Sequence, residues 1–82
     1  MTKQECIERA AACRKAYARE NRCYSLIVAA FGADNPVAQS SMVQAQQALN
    51  AATQWDRVAN MHHKTRQSVL RNMTLPDYIF GY

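Results

Sequence analysis

Beyond Pro36 the chain runs to Met73 without a further glycine or proline, and its apolar residues recur at helical intervals. Met42, Ala45, Leu49, Ala52, Trp55, Ala59, His62, Val69 and Met73 are spaced by three, four or seven, which sets them on one side of a helix. Gln44, Gln47, Asn50, Gln54, Arg57, Lys64 and Arg71 fall on the other side. Alternation of period two is absent, and Ala, Gln, Leu, Met and Arg are all good helix formers. The spacing predicts one amphipathic helix over 36–73. Asn35 is placed to cap it, Pro36 suits its first position, and Pro76 blocks its continuation. At ~1.5 Å per residue it would be roughly 55 Å long and would need a partner along its length.

The partner is written into the first third of the chain. Thr2-Lys3-Gln4-Glu5 has the form of a capping box. From there Cys6, Ala10, Cys13, Tyr17, Glu20, Tyr24, Ile27 and Phe31 alternate in steps of four and three, the seam spacing of packed helices. Gly32 suits a helix stop, so a helix over 3–31 is followed after the short loop 32–35 by the second helix, and so short a link favours antiparallel neighbours. Folding the hairpin about Ala33 and Asp34 pairs positions whose numbers sum to about 69. Phe31 then meets Ala38, Tyr24 meets Ala45 and Tyr17 meets Ala52, large against small as a packed core requires.

The expected fold is therefore all-α: a single domain, 1–82, made of a helical hairpin with an apolar tail over 74–82. Leu26, Val28, Val43, Val58 and Leu70 lie outside the main stripes. A second copy would cover them, giving a homodimer or higher oligomer in the form of a four-helix bundle. Alternatively, one helix breaks near Asn21 or Asn60 and the chain makes a three- or four-helix monomer. Glu20 interrupts the first seam, either to fix register or as an acid held among apolar groups.

The apolar runs are far short of the ~20 residues that span a bilayer, and the N-terminus lacks a signal-peptide core, so the expected setting is cytoplasmic, with no membrane partner. Three cysteines, Cys6, Cys13 and Cys23, share one helix and cannot all pair, which suits reduced thiols buried as small apolar groups. A chain of 82 residues is also small enough to need help from oligomerisation, disulfides or metal.

Candidate chemistry is sparse. With only Gly32 and Gly81 there is no glycine-rich phosphate loop, and no catalytic motif is present, so no enzyme activity and no cofactor are expected. Folding the hairpin brings Cys6 near His62 and His63, with Cys13 beyond; this is a weak metal set, and a hydrogen-bonded His62 in the core is the simpler reading. The net charge of +4 gathers in one half of the rod, where Arg14, Lys15, Arg19, Arg22, Arg57, Lys64 and Arg66 form a candidate binding group. The tail offers Leu75, Tyr78, Ile79, Phe80 and Tyr82, either closing the open end of the bundle or docking elsewhere.

These features point to a non-enzymatic protein-binding module, a small inhibitor or adaptor with an acidic protein partner, of the sort a phage directs against a host defence protein. The alternative is a binder of nucleic acid or a signalling nucleotide through the basic half, with affinity falling steeply in salt.

Overall fold

A computed structural model of the chain describes residues 1–72. They form three helices, α1 (Lys3–Phe31), α2 (Pro36–Ala59) and α3 (His63–Asn72), with no strand among the described residues. The molecule is a rod of 49 × 19 × 19 Å.

Local chemistry sets the ends of the helices. Thr2 Oγ1 accepts from the Glu5 amide while Glu5 Oε1 accepts from the Thr2 amide, both at 3.2 Å, so the capping box is closed. The Thr2 amide also holds the Glu5 carboxyl below its ordinary range. At the far end Gly32 stops α1 with φ +91°, a backbone region that other residues enter only with strain. A Cβ there would meet nothing, so conformation rather than space demands the glycine. Asn35 Oδ1 then accepts from the Val37 amide at 2.9 Å, and Pro36 opens α2.

The two long helices pack against each other as an antiparallel pair. Their alignment is marked by the ion pair between Arg14 and Asp56, whose numbers sum to 70. The buried stripe on α2 is Ala38, Ser41, Ala45, Ala48, Ala52, Trp55 and Ala59, and on α1 it is Cys6, Ala10, Cys13 and Ala16. Small side chains let two helix backbones approach closely, so backbone and β-carbon contacts replace interdigitated large groups. The expected stripe on α2 is thus partly mis-phased: Met42 and Leu49 lie on the flank, exposed, and the alanines take the seam. Tyr17 and Tyr24 are half-buried and Phe31 is 74% exposed.

The second helix does not run to residue 73. It ends at Ala59, because the Asn60 side chain donates back to the Asp56 carbonyl at 3.0 Å and the Met61 amide tightens the last turn onto the Val58 carbonyl. In a pairing that sums to 70, a straight helix would have overrun the start of α1. The break instead folds α3 back, so that Met61, Val69 and Leu70 pack on the cluster of Cys6, Ala10, Cys13, Ala51, Ala52, Trp55, Val58 and Ala59. Gln67 reaches the Met1 carbonyl at 3.2 Å, tying α3 to the start of α1. No break occurs at Asn21, where α1 continues and Ser25 Oγ donates to the Asn21 carbonyl.

An alanine seam is most sensitive to enlargement. Ala52→Leu is expected to destabilise the fold by about 1–3 kcal/mol in urea unfolding. Ala18→Leu, on the exposed side of α1, should stay within about 0.5 kcal/mol.

Candidate interaction surface

The core of the described residues is built from small side chains. Beyond alanine, serine and cysteine the buried residues are Trp55, Val58 and Arg66 alone. No described leucine, isoleucine, phenylalanine or methionine is buried. The large apolar groups stand outside instead, most of them in the half of the rod next to the loop: Leu26 (65% exposed), Phe31, Val37 (59%), Met42 (51%), Val43 and Leu49. Between Cys23 and Trp55 the only charged residue is Asp34. The polar groups among them are neutral amides and hydroxyls, such as Gln46, whose Nε2 donates to Asn50 Oδ1 at 3.0 Å. Depletion of charge with exposed Met and aromatic groups is the composition of the centre of a protein–protein interface.

One side of this half can be traced by sevens. Arg14, Asn21 and Val28 on α1 face Asp56, Leu49 and Met42 on α2, each pair summing to 70. The Arg14–Asp56 ion pair at 2.8 Å fixes the side on which they lie. The flank therefore begins at a charged pair and becomes apolar towards the loop, with half-buried Tyr17 and Tyr24 along its inner edge.

The residues of the basic half are scattered across different surfaces. Arg14 is held by Asp56, and Lys15 and Arg22, seven apart, are exposed on the side of α1 that faces away from the seam. Arg19 is exposed on α1, Arg57 on α2 and Lys64 in the first turn of α3. Arg66 is not a surface residue: at 8% exposure it donates to the Met61 carbonyl at 3.2 Å and lies 3.3 Å from His63 Nδ1, and its buried Nε finds no partner among the described residues. It is a clamp across the turn between α2 and α3, satisfying a carbonyl that the broken helix leaves open. Beside it the Cys6 thiol is pushed up by burial, with the Arg66 charge a smaller opposing influence. Arg9 stacks over Trp55 at 5.4 Å to the ring centre, a contact that sequence reasoning missed because it joins a flank of α1 to the seam of α2.

The metal set does not assemble. Cys6 and Cys13 are core residues, whereas His62 is exposed and its Nδ1 accepts from the Lys64 amide at 3.3 Å, capping α3. His62 is therefore a surface cap and not a core group, and no three candidate ligands gather among the described residues. Glu20 is half-buried at the edge of the seam. The tail residues Leu75, Tyr78, Ile79, Phe80 and Tyr82 lie outside the described residues.

Removing the clamp should loosen the turn. Arg66→Ala is expected to cost about 1–3 kcal/mol by leaving the Met61 carbonyl unpaired, whereas Lys15→Ala should stay within about 0.5 kcal/mol; chemical unfolding measures both. Alkylation of the native protein should modify Cys23 alone, with Cys6 and Cys13 reacting only on unfolding, as mass spectrometry would show.

No described helix is long and apolar enough to cross a membrane. No protein-family model matches the chain, and neither a curated protein nor a solved structure matches it.

Proposed function

We propose that the protein is a non-enzymatic, self-associating helical module that works by binding protein, as a small inhibitor or adaptor, and that its loop half is the binding surface. The observation that carries this reading is the combination of exposed Leu26, Phe31, Val37, Met42, Val43 and Leu49 with a stretch from Cys23 to Trp55 in which Asp34 is the sole charge. Exposing such groups forgoes ~0.8 kcal/mol per unburied methylene, which a partner recovers on binding. The neutral amides and hydroxyls interleaved with them suit a protein surface, where they find hydrogen-bond partners, better than hydrocarbon, where they would not. Three cysteines that are all thiols suit a reducing compartment, in keeping with a cytoplasmic setting.

The competing reading, nucleic acid or a signalling nucleotide on the basic half, draws on exposed Lys15, Arg19 and Arg22 along α1. It loses Arg66 to the core and shares Arg14 with Asp56. Titration with short mixed-sequence nucleic acid at low and moderate salt separates the two. The protein-binding reading expects no saturable complex, together with binding of an apolar dye that weakens in Phe31→Glu and Val37→Glu but not in Lys15→Glu. A complex that weakens steeply with salt and is lost in Lys15→Glu and Arg22→Glu would overturn it.

A further inference from the structure

Taking the loop half as a protein-binding surface, we infer that its occupant on the Met42–Leu49 flank is a second copy of this chain, docked end-opposed so that the two loop halves overlap and the two charged ends point away from each other. The described residues expose 5550 Å², roughly 1000 Å² more than the ~4500 Å² expected of a compact protein of that length. A standard interface removes ~800 Å² from each partner, so one docking of this size brings each copy to the exposure of an ordinary globular protein.

The flank also has the right chemistry. Val28 and Met42, then Asn21 and Leu49, lie on one side of the hairpin, with Tyr17 and Tyr24 half-buried between the helices. Met42 and Leu49 are 51% and 37% exposed at positions seven apart, the repeat by which one helix meets another. Laying a second hairpin there makes four helices around these side chains.

Charge selects the direction. All ten lysines and arginines lie outside the stretch from 23 to 55, against four acidic residues in the same described regions. A parallel docking, loop beside loop, would set these two excesses of positive charge alongside each other. The end-opposed docking sets Met42 of one copy against Leu49 of the other about a two-fold axis and places the two basic ends at opposite ends of the pair.

The test uses the full chain. Light scattering from low to high micromolar concentration is expected to give twice the single-chain mass of 9.3 kDa. The double variant Met42→Lys, Leu49→Lys should raise the dissociation constant about 30-fold or more, as loss of an interface hot spot does, with unchanged helical circular dichroism; both side chains are exposed in the single chain, so unfolding is not expected. Lys15→Glu should leave the mass doubled. Direction is read from paired spin labels in an Asp34→Cys, Cys23→Ser variant, where Cys6 and Cys13 are buried: end-opposed docking holds the loop tips far apart. Loop tips side by side, or a dimer indifferent to lysine at 42 and 49, overturns the arrangement. A monomer at every concentration overturns the second copy as occupant, and a flank that then still binds apolar dye points to a different protein there. Self-association fails with the monomer, whereas the protein-binding reading itself fails separately, on the nucleic-acid titration.

Discussion

Everything in this molecule depends on how closely α1 and α2 approach. The seam is lined with Ala10, Ala16, Ala38, Ala45, Ala48, Ala52 and Ala59, with Cys6 and Cys13 at its open end. Alanine loses no side-chain freedom on burial, so the seam is inexpensive in entropy, but each residue removes little apolar area from water. Stability then comes from continuous backbone-to-backbone packing along the rod and from the one region where larger groups converge, the cluster around Trp55 and Val58 that α3 covers.

The same economy explains why the surface looks as it does. Filling the seam with small residues leaves Leu26, Phe31, Val37, Met42, Val43 and Leu49 with no place inside a two-helix rod. The charged residues crowd towards the other end, where α3, the Arg66 clamp and the Arg14–Asp56 pair organise them. The rod is thus polarised along its axis: its charged end supplies its own tertiary contacts, and its neutral end holds side chains that contribute fully only when covered.

Much of the fold was legible in the residues. Thr2 with Glu5, Gly32, and Asn35 with Pro36 specify helix ends by local hydrogen bonding, which needs no knowledge of the tertiary structure. The antiparallel pairing followed from the loop length and fell within one residue of the alignment that Arg14 and Asp56 mark. The phase of the second stripe was less legible, because Met42 and Leu49 outrank alanine in hydrophobicity, and only the recurrence of Ala38, Ala45, Ala52 and Ala59 at sevens shows which face packs. The break at Asn60 was missed as the first choice because no glycine or proline marks it. Its signals are a back-bonding asparagine, a histidine able to cap the next helix, and the overrun past Lys3 that a straight helix implies. For the candidate surface, the charge gradient was visible while the destination of each charge was not: Arg66 goes inward because the turn that needs it was not foreseen.

The position of the cluster beneath α3 has a kinetic consequence. The loop at Gly32–Asn35 is the easiest place for the hairpin to start, since closing a short loop loses little chain entropy. Yet the contacts nearest it are alanine-thin, and the contacts that hold best join Cys6 to Val58 across most of the chain. A chain that closed this loop first would zip from a weak end towards a strong one and gain its largest stabilisation only when α3 covers the cluster. On that route a half-zipped chain would present its neutral apolar end while its anchoring end was still open, the kind of exposure through which chains meet before they finish folding.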